Sequence, residues 1–261
     1  MTVAQCGILH RLFVLDWHIF DALPAGLNVT LPVGAHHLSA APDGSGEPWR
    51  DLVALYTPVA SAVRAADGVP VVLSGDCITP LAVLAGLQQR GVEPALVWFD
   101  AHGDFHTEDT TFSGYLGGLP LAKAVGRGDM TLPEGLGMRP LAEDRAVLVD
   151  GRDLDPPEVT ALAESRVAHA SLRDVVDVLP QAPVHLHVDL DVIGSQHLRG
   201  LRFPAPGPHR ATVAAAVRAV VAARSIAAVS VAATWFPERT DRGQTDAALA
   251  AVLGAAGVIA P

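Results

Sequence analysis

The segment that decides the fold reads Ala95-Leu96-Val97-Trp98-Phe99-Asp100-Ala101-His102-Gly103-Asp104. Its first five residues form a short apolar run, which is typical of a strand buried on both faces of a parallel sheet. Asp100, His102 and Asp104 follow at alternate positions, so an extended chain would point the three side chains the same way. The segment predicts a strand that delivers two carboxylates and an imidazole to its carboxyl end, where open α/β sheets bind ligands. A polar turn in which Asp104 caps a helix is the alternative.

Short apolar runs alternate with longer helical patterns along the rest of the chain. The predicted strands are Leu12–Leu15, Val69–Leu73, Ala95–Phe99, Ala146–Val149, Val184–Asp191 and Ala227–Ala232. The predicted helices are Trp49–Ala66, Thr79–Arg90, Leu116–Val125, Pro157–Glu164, Leu172–Leu179, Ala211–Arg224 and Asp246–Ala256. This alternation predicts an α/β protein in three layers, a mainly parallel sheet with helices on both faces. Two stretches rich in Pro and Gly, 31–48 and 198–208, are predicted loops, and we expect one domain over residues 1–261.

Composition excludes several classes of protein. The chain has 261 residues, of which half are apolar and 18% charged, and its net charge is -10. Such a chain can fill a core, and it lacks the basic surface that nucleic acids or anionic membranes require. The two cysteines, Cys6 and Cys77, cannot form a disulfide framework. No signal peptide or membrane-spanning run is visible, so we predict a cytoplasmic protein.

A second strand end repeats the polar alternation in His185-Leu186-His187-Val188-Asp189-Leu190-Asp191. In a strand, the two histidines and two aspartates share one face. Like charges crowded at a buried strand end repel, so one carboxylate stays protonated or a cation binds. The two strand ends together supply four aspartates and an imidazole. This donor set suits divalent manganese, with zinc, cobalt or iron as alternatives, and shared carboxylates indicate two ions about 3.5 Å apart.

A third segment, Ser74-Gly75-Asp76-Cys77, lies between a predicted strand and a predicted helix. A thiol near a helix N-terminus has a lowered pKa, so Cys77 is a candidate metal ligand or redox-sensitive group. The alternative, a small buried hydrophobic residue, is also our interpretation of Cys6.

These three segments, in this order, resemble the motifs of the ureohydrolase family, which contains arginases, agmatinases and formimidoylglutamases. The resemblance runs from about Val69 to Pro237 and implies a binuclear manganese site. By position, one ion would be held by Cys77, Asp100, Asp104 and Asp189, and the other by His102, Asp100, Asp189 and Asp191. The resemblance also implies that a hydroxide held between the ions attacks a guanidino carbon, with Asp104 and His102 in catalytic positions. Asp104 would pass a proton to the leaving amine.

The same resemblance implies residues for an amino-acid substrate. In Gly151-Arg152-Asp153-Leu154-Asp155-Pro156-Pro157-Glu158, the residues Asp155 and Glu158 fall where the family binds the α-amino group. Ser113 and His106 fall on positions that contact the α-carboxylate. The alternatives are a helix capping box for Asp155 and Glu158 and a turn for Ser113.

Three positions depart from the family pattern. Cys77 replaces a metal-ligand histidine, Gly117 replaces a proton-shuttle histidine with no local substitute, and Thr234 replaces a glutamate that holds the guanidinium. A guanidinium is always charged and expects a carboxylate, whereas a hydroxyguanidine is less basic. The pattern therefore resembles the branch that hydrolyses Nω-hydroxy-L-arginine to hydroxyurea and L-ornithine.

Other functions stay open from the sequence. Arginase, agmatinase or formimidoylglutamase activity is one alternative, and a non-catalytic binding protein on the same fold is another. A dinucleotide or P-loop fold is excluded, because the turn at Gly75 lacks the required glycines and carries Asp76, which would repel phosphate. A homo-oligomer is possible.

Overall fold

The computed structural model describes residues 10–15 and 35–259, and its core is one sheet of parallel strands. In chain order the strands are β1 (His10–Leu15), β2 (His36–Leu38), β3 (Val69–Ser74), β4 (Ala95–Asp100), β5 (Ala146–Asp150), β6 (Ala168–Ala170), β7 (Val184–Asp189) and β8 (Ile226–Ala232). They lie in the order β2-β1-β3-β8-β7-β4-β5-β6. Every strand pair in this order is parallel.

The four central strands, β3, β8, β7 and β4, bring their carboxyl ends side by side. Their registers pair Ser74 and Asp189 with the same residue, Ala232, so the chain leaves β3, β7 and β8 at one level. On the other side, Phe99 of β4 pairs with Val188 of β7. Polar residues that follow these strands are therefore neighbours in space although up to 160 positions separate them in sequence.

The helices are α1 (Pro48–Ala65), α2 (Thr79–Gln89), α3 (Pro120–Ala124), α4 (Thr131–Gly135), α5 (Pro156–Ala163), α6 (Arg210–Ala223) and α7 (Arg242–Ala255). One face of the sheet packs against α1 and α2, through residues such as Trp98 and Leu84. The other face packs against α6 and α7, through residues such as Phe99 and Val217. The predicted fold class, a parallel sheet with helices on both faces, is confirmed.

Two helix predictions are wrong. The predicted helix at 172–179 contains only a 3-10 turn, Val175–Val178. The predicted helix at 116–125 is divided into a 3-10 turn, Leu116–Gly118, and the short helix α3. Pro120 starts α3 because it lacks an N–H to continue the preceding turn.

The strand predictions failed mainly at the sheet edges. Strands β2 and β6 were missed because each has three residues, too few for a readable alternation, and β2 lies within the predicted loop at 31–48. The predicted strand at 184–191 ends instead at Asp189, and a 3-10 turn follows. Cys6 and residues 31–34 lie outside the described residues. Within those ranges no helix is long and apolar enough to cross a membrane.

Candidate metal and substrate site

The first cluster of the site consists of Cys77, Asp100 and Asp189, which come from the ends of β3, β4 and β7. One ligand atom from each lies within 4.8 Å of the others, and all three residues are buried. The Cys77 thiol donates to Asp189 Oδ2 at 2.9 Å. Burial and the charges of Asp189, Asp104 and Asp100 raise the pKa of this thiol well above its ordinary value. The predicted lowering of the Cys77 pKa is wrong, because burial and the carboxylates outweigh the helix N-terminus.

The second cluster shares Asp100 with the first and adds His102 and Asp191. His102 Nδ1 lies 3.1 Å from Asp191 Oδ2 and 3.3 Å from Asp100 Oδ1. Although burial opposes protonation, the charge of Asp191 and hydrogen bonds to both carboxylates raise the pKa of His102 to about 12. The imidazolium thus offsets part of the negative charge between the two aspartates.

Local hydrogen bonds fix the orientation of these carboxylates. The indole Nε1 of Trp98 donates to Asp100 Oδ2 at 3.0 Å, and the His102 backbone donates to Asp100 Oδ1 at 2.7 Å. The Asp191 backbone N–H donates to Asp189 Oδ1 at 2.8 Å. This last bond turns the chain at Asp189, so Asp191 reaches the site from a turn and not from the strand face that the alternation predicted.

Asp104 enters the site through a left-handed backbone, with a φ of 47°. The prediction of one extended segment from Asp100 to Asp104 is therefore wrong. The Asp104 carbonyl accepts from the backbones of Leu121 and Ala122, which hold the turned chain against α3. Its Oδ2 is buried and has no hydrogen-bond partner among the described residues. Burial and the nearby charge of Asp100 raise the Asp104 pKa well above its ordinary value.

This donor set fits divalent cations. Burial and the charge of Asp191 raise the pKa of Asp100 to about 6. Burial and the charges of Asp191 and Asp100 raise the pKa of Asp189 well above its ordinary value. Crowded buried carboxylates resist ionisation until a cation offsets them. Asp104 Oδ2, which lacks a partner, is a further oxygen that a cation could take. Carboxylates with one imidazole suit manganese, and the thiol adds a softer donor.

Beside this metal half lies a group of residues at the predicted amino-acid end, and it includes a third set of donors, His106, Asp155 and Glu158. His106 Nε2 lies 3.1 Å from Asp155 Oδ2, and its Nδ1 lies 3.1 Å from the Thr110 hydroxyl. Glu158 is buried and accepts from the backbones of Phe105 and Asp155, at 2.9 and 3.1 Å. Asp155 and Glu158 thus form the capping box of α5, the alternative interpretation of these residues.

Ser113 and Thr234 lie on the same cavity, which has a volume of about 180 Å³ and holds only a small molecule. Ser113 is exposed, and its hydroxyl accepts from the Tyr115 backbone at 3.1 Å in a turn. Thr234 is buried, and its hydroxyl donates to the carbonyl of Gly75 at 3.0 Å. Every residue predicted for the metal and substrate site lines this cavity.

Two aromatic residues of the cavity were missed by the sequence analysis. Tyr115 stacks on Phe203 with ring centroids 4.8 Å apart, and Phe203 also meets His102 edge-on. The one signal that could have found Tyr115 is Gly117, because a residue without a side chain leaves room for a neighbouring ring. Phe203 lies in a predicted loop rich in Pro and Gly, where no periodic pattern marks its place in the cavity.

Two basic side chains hold the loops around the cavity. The Arg152 guanidinium donates to the carbonyls of Pro206, Ala205 and Asp191 at 2.7, 3.2 and 3.1 Å, which fixes the loop that carries Phe203. Lys123 of α3 is buried, pairs with Glu108 and lies 4.1 Å from the Trp49 ring. The loop after β4 is thereby attached to α1.

Comparison with known proteins agrees with this geometry. A profile of the Arginase family matches residues 29–256. An N(omega)-hydroxy-L-arginine amidinohydrolase from Streptomyces lavendulae is 33% identical over 147 residues, 54% of this chain and 52% of that protein. The chain thus spans about half the length of this relative. An arginase from Bacillus caldovelox is 27% identical over 228 residues, 79% of this chain and 73% of that protein.

Solved structures show the same fold. The native arginase structure from Bacillus caldovelox has a TM-score of 0.79 and 20% identity, with 96% of this chain and 98% of that chain covered. A formimidoylglutamase from Bacillus subtilis has a TM-score of 0.70 and 17% identity, with 98% and 88% covered. The family profile covers most of the chain, and the fold and the strand-end motifs agree with it, so the chain belongs to the arginase family.

Proposed function

We propose that the chain is an amidinohydrolase with two manganese ions that cleaves Nω-hydroxy-L-arginine to hydroxyurea and L-ornithine. The observation that carries the proposal is a pair of donor clusters that share Asp100 and face a small cavity with Thr234 on its wall. All their members are buried except His102, which is half-buried. Thr234 stands where the family pattern has a carboxylate. The relative from Streptomyces lavendulae, an N(omega)-hydroxy-L-arginine amidinohydrolase, supports the choice of substrate.

The ligands in this proposal are the residues of the two clusters. Cys77, Asp100, Asp104 and Asp189 hold one ion, and His102, Asp100, Asp189 and Asp191 hold the other. Two divalent cations supply Lewis acidity and an activated water at neutral pH. Cys77 adds a negative charge that a histidine would not, so it reduces the effective charge of its ion.

Asp104 is the proton carrier of the reaction. Its buried Oδ2 has no hydrogen-bond partner among the described residues. One oxygen of the Asp104 carboxylate would hold the ion, and the other would accept a proton from the attacking water. The same oxygen then donates that proton to the leaving amine, as a general base and acid do in turn. His102 supports these transfers as a ligand of the second ion, because its Nδ1 lies beside Asp191 and Asp100.

The amino-acid end of the substrate binds at His106, Ser113, Asp155 and Glu158. The Asp155 side chain is 56% exposed and lies beside His106, and this arrangement suits an α-ammonium group. Glu158 contributes mainly by holding Asp155 and Phe105 in place, because its oxygens already accept from their backbones. Holding this end places the guanidino carbon for attack.

Thr234 favours a neutral substrate head group. Its hydroxyl carries no charge, so it cannot offset the charge of a guanidinium as a carboxylate does. A hydroxyguanidine is less basic than a guanidine and therefore enters this position with less charge to offset.

The test compares hydrolysis of Nω-hydroxy-L-arginine, L-arginine, agmatine and formimidoylglutamate at matched manganese loading. We expect Nω-hydroxy-L-arginine to have the highest kcat/KM and the protein to bind two equivalents of manganese. A clear preference for L-arginine would overturn the substrate. A protein that binds no manganese and hydrolyses none of the four would be a binding protein on this fold.

The remaining features of the proposal concern the protein outside its site. A homo-oligomeric state and a cytoplasmic location are predictions from the sequence and from the family. Gel filtration with light scattering measures the first, and fractionation of the producing cell measures the second.

A further inference from the structure

Tyr115 has no counterpart in the motifs that identify the site, yet it lines the cavity together with the proposed metal ligands. The ring stacks on Phe203 with an interplanar angle of 29°. Its hydroxyl lies 3.3 Å from Thr234 Oγ1, at the position where the family pattern has a carboxylate. The phenol therefore lies at the guanidino end of the cavity.

Glycine at position 117 makes this placement possible. A Cβ built on Gly117 would lie 2.3 Å from both Cζ and the hydroxyl oxygen of Tyr115. Real Cβ atoms do not approach other atoms so closely, so any side chain at 117 would displace the ring. The Tyr115 ring can therefore take this position only when residue 117 is glycine.

The hydrogen bonds around Thr234 set the direction of the phenol. The Thr234 hydroxyl has one hydrogen, and it is donated to the carbonyl of Gly75. The Tyr115 hydroxyl therefore donates to Thr234 Oγ1. A phenol oxygen that donates its hydrogen can also act as a hydrogen-bond acceptor. Burial and the nearby charges of Cys77, Asp76 and Asp104 raise the pKa of Tyr115 well above its ordinary value, so the acceptor is a neutral phenol.

We propose that Tyr115 is the residue that determines specificity, because its neutral phenol oxygen accepts a hydrogen bond from the N-hydroxyl group of the substrate. This inference rests on the proposed function and extends it to a named contact. Thr234 orients the phenol, and Gly117 leaves the space that the ring occupies. A site that bonds a substrate hydroxyl discriminates strongly against the analogue that lacks it.

The first experiment uses the manganese-loaded protein with Tyr115→Phe, which keeps the ring and its stacking on Phe203. We expect kcat/KM for Nω-hydroxy-L-arginine to fall about 10-fold, the effect of one lost hydrogen bond in a desolvated site. The value for L-arginine should change less than about 2-fold. Equal losses for both substrates would overturn the role of Tyr115 and leave the proposed function intact.

The second experiment uses a matched pair of glycine variants. Gly117→Ala should displace the ring and reduce the preference for Nω-hydroxy-L-arginine as Tyr115→Phe does. A Cβ on the adjacent Gly118 meets no atom within 4 Å, so Gly118→Ala should keep the preference. An unchanged preference in Gly117→Ala would contradict the coupling of the two positions.

The third experiment needs no turnover. Hydroxyurea and urea differ only in the N-hydroxyl, and their binding with L-ornithine present is measured by saturation-transfer NMR titration. We expect the wild type to prefer hydroxyurea and Tyr115→Phe to lose that preference. If the wild type binds hydroxyurea more tightly than urea but does not hydrolyse Nω-hydroxy-L-arginine, the proposed reaction is wrong and the Tyr115 contact still holds. Equal binding of both compounds to the wild type would overturn the contact.

Discussion

The two halves of the cavity are built by different means. The metal half, Cys77, Asp100, Asp189, His102 and Asp191, follows directly from the ends of neighbouring parallel strands. The substrate half, His106, Ser113, Tyr115, Asp155 and Phe203, lies on loops and a helix start. Strand pairing in the sheet positions Asp100 and Asp189 of the first half, whereas the second half depends on single side chains such as Arg152 and Lys123. In the proposed function, the chemistry is therefore encoded close to the strand ends, and the specificity depends on long-range packing.

The largest effect is expected from a substitution that disrupts the metal half. Asp189→Asn keeps the shape of a residue that the first cluster requires but removes its charge, so manganese binding should fall and kcat/KM should drop by more than about 100-fold. Metal analysis after gel filtration and steady-state kinetics measure both effects. The control Asp177→Asn makes the same change at an exposed residue outside the cavity. Full activity in Asp189→Asn would contradict the metal half as we describe it.

The second effect breaks the substrate half and spares the metal half. Lys123→Met removes a buried ammonium and leaves the Glu108 carboxylate without its partner. Because Glu108 is about one-third exposed and can regain water, we expect a loss of about 2 kcal/mol in the free energy of unfolding. Denaturant unfolding measures this loss, and manganese affinity should stay the same.

A double variant separates the ion pair from the loss of packing. The double variant Lys123→Met/Glu108→Gln should lose less stability than the two single variants lose together, because it removes both charges of the pair and leaves neither without its partner. Simple additivity would mean that the pair contributes nothing as a pair.

The difference between the halves also explains what the sequence predicted. Asp100, His102, Asp189 and Asp191 were found because a strand places alternate residues together and neighbouring parallel strands end at one edge. The predicted path of the chain beyond each strand was wrong, because the left-handed backbone of Asp104 and the turn at Asp189 produce no periodic pattern in the sequence. Tyr115 was missed because its ring occupies space that is open only because Gly117 has no side chain.

The third effect concerns the support of a metal ligand. Trp98→Phe removes the indole N–H that donates to Asp100, so manganese affinity should fall about 10-fold. Isothermal titration with manganese measures the change. Trp235→Phe is the matched control, because the Trp235 indole nitrogen is buried with no hydrogen-bond partner among the described residues. An equal loss in both variants would assign the effect to packing and not to the hydrogen bond.

The smallest effect sharpens the comparison by changing specificity alone. Thr234→Glu supplies a carboxylate at the guanidino end, so the ratio of kcat/KM for L-arginine to that for Nω-hydroxy-L-arginine should rise about 5-fold. Thr234→Gln has a similar size without the charge, so it measures the loss of the Thr234 contact with Tyr115 alone, and the ratio should rise less than in Thr234→Glu. The same rise in both variants would show that size, and not charge, sets the preference.

Lys123 has a consequence for the study of this protein in solution. It is the only lysine in the chain, and its amine is enclosed between Glu108 and the Trp49 ring. Acylating reagents can reach this side chain only when the loop after β4 detaches from α3 and α1. The rate at which Lys123 is acylated, measured by mass spectrometry, therefore reports how often the substrate half opens.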